Sequence, residues 1–252
     1  MTAAKPAPPP SREIVSQLAP SGKLRAAINF GNVVLAREGG PRGATGPSVD
    51  IAGEVARRLG VPLEFVIYRA AGDVVSRLEQ DKWDIGFMAV DPQRADQITF
   101  TAPYVYIEGT YLVRADAPFR SVADLDRSGI RIAVGKGAAY DLYLSRALKN
   151  AALVRASTSN EAIALFERDP AIDTVAGVRQ ALEEQTGRTQ GYRVLPDAFT
   201  RIEQAVAIPR GREAALAWVA QVIEELKTDG FVRKALDNAG QQAARVADPA
   251  VR

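Results

Sequence analysis

Trp83–Val105, WDIGFMAVDPQRADQITFTAPYV, is the stretch from which the architecture can be read. Trp83 to Val90 is short, mostly apolar and rich in strand formers, as a strand buried on both faces is. Asp91-Pro92 ends it, because the residue before proline is pushed out of helical space and proline donates no hydrogen bond. Phe100–Tyr104 (FTAPY) then reads as extended chain. Open α/β sheets bind ligands just beyond the carboxyl ends of their strands, and the turn carrying Asp91 and Arg94 stands at such an end. Arg94 is the only cation in that turn, and its planar fork suits a carboxylate.

Upstream, Lys23–Asn29 (KLRAAIN) reads as a short strand, followed by a Gly-rich loop from Gly31 to Pro47. Ser48 or Asp50 is expected to cap the next helix. Ile51, Val55 and Leu59 share one helical face there, and Gly60 stands where a C′ glycine belongs. Val61–Tyr68 (VPLEFVIY) is the next strand, and Asp73 is expected to cap a second helix with Val74, Val75 and Leu78 inward. The order is strand, helix, strand, helix, strand, which implies a parallel sheet with right-handed crossovers.

Downstream the order repeats. TYLVRAD follows Gly109, and Ser121–Leu125 reads as a short helix. Gly129–Val134 (GIRIAV) is a strand leading into Gly135-Lys136-Gly137-Ala138-Ala139, then a helix over Tyr140–Leu148 and a strand over Ala152–Ala156. Asn160 is expected to cap a helix with Ile163, Leu165 and Phe166 partly inward, before the strand Ile172–Val178. DVVSRLEQDKWDIGFMAV and NEAIALFERDPAIDTVAGV match in kind: a helix ends in charged residues and an Asp opens a short apolar strand. Repeated supersecondary order points to two similar lobes. Gln204–Pro209 reads as a returning strand and Arg212–Thr228 as an amphipathic helix, with Leu216, Val219, Ile223 and Leu226 at 3-4-3 spacing. Gly230 ends it, and Phe231–Ala239 is a last short helix.

Composition removes several classes of function. The 252 residues hold 32 Lys plus Arg against 30 Asp plus Glu, too balanced for a reader of nucleic acid or anionic membranes. There is no Cys and no His, which removes thiol nucleophiles, His-based triads, disulfides and the common zinc and iron sites built on those ligands. No metal and no cofactor is expected. No stretch approaches a membrane span of roughly 18 apolar residues. The GKGAA run lacks the spacing and Lys-Ser/Thr ending of a phosphate loop.

Four pieces, taken together and in order, resemble a known family. They are SVDIAGEVARRLGVPLEFV, WDIGFMAVDPQR with ITFTAPYV, GIRIAVGKGAAYDLYL, and QAVAIPRG. The chain is similar over about residues 22–240 to the type II periplasmic binding proteins, in the family 3 solute-binding group that serves polar amino-acid ABC transporters. The resemblance implies two similar α/β lobes joined by two hinge crossovers, near 109–113 and 203–208. Lobe 1 is expected over 21–109 plus 205–252 and lobe 2 over 110–204, with a disordered leader over 1–20 and the ligand cleft between the lobes.

The resemblance also assigns site residues. Arg94 falls on the arginine that grips a ligand α-carboxylate. Asn29 and Asn32 lie at the end of the first strand, where they line the pocket or cap their loop. Phe87 and Ala89 occupy contact positions, and Phe30 and Tyr104 either stack on ligand or pack the lobe. Gly137, Ala138 and Ala139 match a second-lobe loop at a helix N-terminus, where free amides favour an anion. Asp91 bonds to its own turn or orients Arg94, and Lys136 reaches solvent. Val178 stands where amino-acid binders of that family place the Asp that pairs the α-ammonium. An unpaired buried ammonium costs several kcal/mol. Two expectations follow: the ligand is a carboxylate lacking that amine, or Asp91 or Glu108 takes the amine over. Arg179 would favour a second carboxylate if it faced the cleft, but strand alternation points it away.

The implied function is a solute-binding protein that closes on a small carboxylate or amino-acid-like molecule and hands it to an ABC permease, acting as a monomer and not as an enzyme. Two alternatives stand beside it. One is a lyase on the same scaffold, like the cyclohexadienyl dehydratases, with Glu108 or Asp141 as the acid. The other is a ligand-sensing module without transport. The first 20 residues are Pro-rich and lack an apolar h-region, so they are not an intact secretory signal. The family implies the periplasm, from a precursor whose signal has been removed; a chain beginning as given would stay in the cytoplasm.

Overall fold

A computed structural model describes residues 7–250. In chain order the elements are α1 (Arg12–Leu18), β1 (Leu24–Asn29), β2 (Arg37–Glu38), β3 (Ala44–Thr45), α2 (Pro47–Leu59), β4 (Leu63–Tyr68), α3 (Ala71–Ser76), α4 (Leu78–Asp81) and β5 (Ile85–Ala89). A 3-10 turn, Pro92–Arg94, leads to β6 (Ile98–Phe100) and β7 (Val105–Arg114). The second half holds a 3-10 turn at Val122–Leu125, β8 (Arg131–Gly135), α5 (Ala139–Ala147), β9 (Ala152–Ala156), α6 (Ser159–Arg168), β10 (Thr174–Val178), α7 (Arg179–Arg188) and β11 (Tyr192–Val194). The chain returns through β12 (Thr200–Pro209), α8 (Glu213–Thr228), α9 (Phe231–Asn238) and β13 (Arg245–Val246).

The sheet order is β4-β1-β5-β12-β7-β10-β8-β9. β1 pairs in parallel with β4 and β5, and β8 pairs in parallel with β9 and β10. In each trio the first strand of its unit sits in the middle. The two trios flank an antiparallel pair, β7 with β12, and these two long strands are the crossovers between lobes. β5 and β10 are buried along their whole length, as parallel strands covered on both faces must be.

A shared contact underlies the repeated order. Asp84, just before β5, donates its backbone N–H to the Arg25 carbonyl, and its carboxylate accepts from the Arg25 N–H. Asp173, just before β10, makes the same pair of bonds with Arg131. Each acid therefore fixes the register between the first and third strands of its unit. Asp84 is fully buried and also accepts from the Arg25 and Arg212 guanidinium groups at 2.9 and 3.0 Å, so its charge is paired where water cannot solvate it.

Several local expectations are corrected. α2 is capped by Gly46, with Pro47 opening the helix, so Ser48 and Asp50 lie inside it. α3 begins at Ala71 with Asp73 in its first turn, where a carboxylate favours the helix dipole without being the cap. Thr158 caps α6, its hydroxyl accepting from the Glu161 N–H, and Asn160 lies two residues on, already inside the helix. Gly60 does end α2 in the left-handed conformation, at φ 71°. Helix α7 has no counterpart in the sequence reading. It is mostly polar and buries only Leu182, so it carries little periodic signal.

The leader is not a free tail from Ala7 onward; residues 1–6 of the expected leader lie outside the described residues. Ser11 caps α1, which lies against α8, and Leu18 is fully buried. The Trp218 indole donates to the Pro8 carbonyl and the Ala7 N–H donates to Glu225. Glu225 also grips Arg58, which with Arg57 holds Glu54.

Two measurements check this packing. Leu18→Ala should destabilise the protein by about 2–5 kcal/mol, as for a buried leucine elsewhere in a core, read by denaturant unfolding. A loose leader would give almost no change. The Arg57 and Arg58 guanidinium groups hold the Glu54 carboxyl down, from an ordinary 4.5 to about 2. That contribution is present above pH 4.5 and is lost as pH falls toward 2. Glu54→Gln should flatten the acid side of the melting-temperature profile over that window.

Candidate functional site

The site forms where the carboxyl ends of β1 and β5 meet lobe 2. β5 delivers Phe87, Met88 and Ala89 to the cavity wall, and Asn29, Gly31 and Asn32 come from the end of β1 and its loop. Lobe 2 supplies Ala138, Ala139 and Tyr140 at the start of α5, with Ser159 and Val178. Ile202 and Gln204, two apart on β12 and so on one face of it, complete the wall.

Arg94 is the only charged side chain among these lining residues and is 5% exposed. Its Nη1 donates to the Ala89 carbonyl at 2.8 Å and its Nη2 to the Gly137 carbonyl, across the lobe boundary, at 3.0 Å. No carboxylate pairs with it among the described residues. Burial brings its pKa down from 12.5 to about 10, with nearby Asp91 opposing the shift, so the charge persists at neutral pH. A buried guanidinium with N–H groups to spare and no carboxylate partner among the described residues has the chemistry to take an anion.

The other expected residues separate into wall and support. Asn29, Asn32, Phe87, Ala89, Ala138, Ala139 and Val178 line the cavity. Asp91, Gly137, Tyr104 and Phe30 do not. Asp91 caps the 3-10 turn through the Gln93 N–H and pairs with Arg146 of lobe 2 at 2.8 Å, so it neither orients Arg94 by direct contact nor offers itself to an amine. Gly137 serves through its carbonyl. Tyr104 is fully buried behind Phe87, edge to face at 6.2 Å, with its hydroxyl 3.4 Å from Ser48. Phe30 packs against the main core, and its N–H donates to the Tyr68 carbonyl.

Glu108 is taken by Arg179, which also donates to the Leu195, Pro196 and Asp197 carbonyls beside the crossover strands. Arg179 thus does not line the cavity, as expected, although it opens α7 and does not continue the β10 strand. Asp141 is buried, accepting from the Gly137 N–H and Arg155, and so sets the loop that presents Gly137. Gln204, Tyr140 and Ser159 line the wall without having been anticipated. Tyr140 lies within the quoted GIRIAVGKGAAYDLYL stretch, Ser159 falls just outside the quoted stretches, immediately before Asn160, and Gln204 sits in a strand read only for its apolar pattern.

The lobes meet through backbone as well as side chains. Gly137 has φ 71°, and a Cβ there would lie 2.8 Å from the Gly72 Cα. Arg37 of lobe 1 pairs with Glu184 of lobe 2 at 3.0 Å.

The chain belongs to the bacterial extracellular solute-binding proteins, family 3, whose family model matches residues 35–241. It is 26% identical over 246 residues to the L-cystine-binding protein TcyJ of Escherichia coli (strain K12), covering 87% of this chain and 86% of that one. The fold matches a cysteine-binding protein from Campylobacter jejuni with a TM-score of 0.76 at 22% identity, covering 89% of this chain and 92% of that one. It also matches the ancestral amino-acid-binding protein AncCDT-1, a precursor of cyclohexadienyl dehydratase, with a TM-score of 0.73 at 23% identity over 89% and 98% of the two chains.

The Gly72–Gly137 approach yields a direct test. Gly137→Ala should hold the lobes apart, because the added methyl meets Gly72 and the left-handed backbone costs about 1–2 kcal/mol in any L-residue. Small-angle X-ray scattering should show a larger radius of gyration than wild type, while Gly211→Ala, also at positive φ but with open space around its Cβ, should not change it.

Proposed function

We propose that this protein is the solute-binding component of an ABC-type importer and closes its lobes on a small carboxylate or amino-acid-like ligand. The observation that carries the proposal is Arg94: a buried, charged guanidinium at the cavity wall, held by one carbonyl from each lobe and paired with no carboxylate. The ligand carboxylate would take the remaining N–H groups of Arg94. The first-turn amides of α5 would assist, since its cap, Ala138, offers no side-chain acceptor for them.

Within this reading the lobes part at Gly109–Thr110 and Gln204–Ala205, on the paired crossover strands. The protein works in the periplasm as a monomer and delivers its ligand to a membrane permease. TcyJ, the cystine-binding relative, supports a ligand of amino-acid size. A lyase reading is less well supported. A dehydratase needs an acid to protonate its leaving group, and none of the cavity-lining residues among those described carries a carboxyl group.

Thermal unfolding against a panel of amino acids, hydroxy acids and dicarboxylates tests the proposal. A ligand at 100 times its dissociation constant should stabilise wild type by about 2.7 kcal/mol. Arg94→Ala should abolish that stabilisation for every ligand, and Arg94→Lys should restore little, because an ammonium lacks the planar fork. Ligand stabilisation that survives in Arg94→Ala would refute the assignment.

A further inference from the structure

The side-chain oxygens of the cavity wall have identifiable partners, with one exception. The Asn29 amide oxygen accepts from the Gly31 N–H, and that of Asn32 from the Val34 N–H. The Tyr140 hydroxyl donates to the Ser159 oxygen at 2.7 Å. Gln204 differs. It is 2% exposed, and its amide oxygen is buried without any donor. A buried acceptor left without a partner at a cavity wall is a position prepared for a donor on the ligand.

The charge at the wall is equally one-sided. Arg94 is cationic, and no lining side chain is anionic. Asp91, Glu108 and Asp141 are already held by Arg146, Arg179 and Arg155. A zwitterionic amino acid brings no net charge, so Arg94 and the ligand ammonium together would outnumber the ligand's one carboxylate. A carboxylate whose second polar group is neutral leaves the cavity electrically balanced, which a low-dielectric site favours.

We infer that the cavity selects a carboxylate carrying a neutral donor, a hydroxyl or an amide, over the α-ammonium of an amino acid, and that Gln204 is the residue that reads that donor. The inference rests on Arg94 as the carboxylate anchor and names what stands at the ligand's other end.

Matched monocarboxylate pairs with one skeleton test it: L-lactate and L-alanine, L-2-hydroxyisovalerate and L-valine, L-phenyllactate and L-phenylalanine, each titrated calorimetrically into the full chain. In every pair that binds, the hydroxy acid should bind about tenfold tighter or more. Gln204→Met, which keeps the side-chain length and removes the acceptor, should weaken the hydroxy acid about three- to tenfold, the span of one hydrogen bond. Val178→Asp adds an anion to the wall at the N-cap of α7, where aspartate is well tolerated, and should move the ratio about tenfold or more toward the amino acid.

Tighter binding of the amino acid by wild type, hydroxy-acid binding that is not weakened in Gln204→Met, or a ratio unmoved by Val178→Asp would overturn the inference while leaving Arg94 as anchor. If no pair binds, or if binding survives Arg94→Ala, the carboxylate site itself fails and the inference falls with it.

Discussion

The contact between the lobes is built around a buried guanidinium for which the described residues supply hydrogen-bond acceptors but no counter-ion. Desolvating a cation is costly, and carbonyl dipoles offset only part of that cost. Arg94 receives one such dipole from Ala89, on its own lobe, and one from Gly137, on the other. The second bond exists only while the lobes touch. For the Gly137 carbonyl to reach Arg94, the backbone at Gly137 must come against Gly72, which is why both positions lack a Cβ. Asp141 holds the Gly137 N–H from behind, and Asp91 caps the turn from which Arg94 extends. Conformation, glycine placement and the supporting acids all follow from presenting one charge to one cavity.

Much of this was legible in the chain because it is encoded locally. The Asp that opens an apolar strand recurs in both halves, and the structure gives Asp84 and Asp173 the same bonds to Arg25 and Arg131. Arg94 was legible because it follows a strand–Asp-Pro break, and strand ends are where such sheets bind. Seven other expected residues reach the wall, most of them because they lie at or just beyond strand ends or helix starts. Phe30 and Tyr104 did not reach it, since the aromatic surface near a site is also what packs the lobe beneath it.

What escaped was long-range or weakly patterned. Asp91 and Arg146 are 55 residues apart, and nothing local in either segment announces a bond between lobes. Helix α7, with one buried residue, looks like loop to any argument from periodicity. The leader reads as disordered from its prolines, yet Leu18 is fully buried and the Pro8 carbonyl serves as the acceptor for Trp218. Gln204 was hidden in QAVAIP by its neighbours. Only the pairing of β12 with β5 and β7 shows that its side chain faces the cavity while the apolar residues beside it serve the core.

The ion pairs across the lobes are not equivalent. Arg37 and Glu184 are 40% and 30% exposed, so water and salt screen their attraction and the pair adds little. Asp91 is almost wholly buried and is gripped through both carboxylate oxygens, so its pairing is less screened even though Arg146 is 43% exposed. The durable contacts between lobes are therefore gathered on one side, around Asp91, Arg94 and Gly137, next to the cavity. A carboxylate placed on Arg94 adds its charge where the dielectric is lowest and where the lobes already meet. In the proposed reading, binding and closure draw on the same few atoms, which leaves other wall residues, Val178 and Gln204 among them, to discriminate among ligands that share a carboxylate.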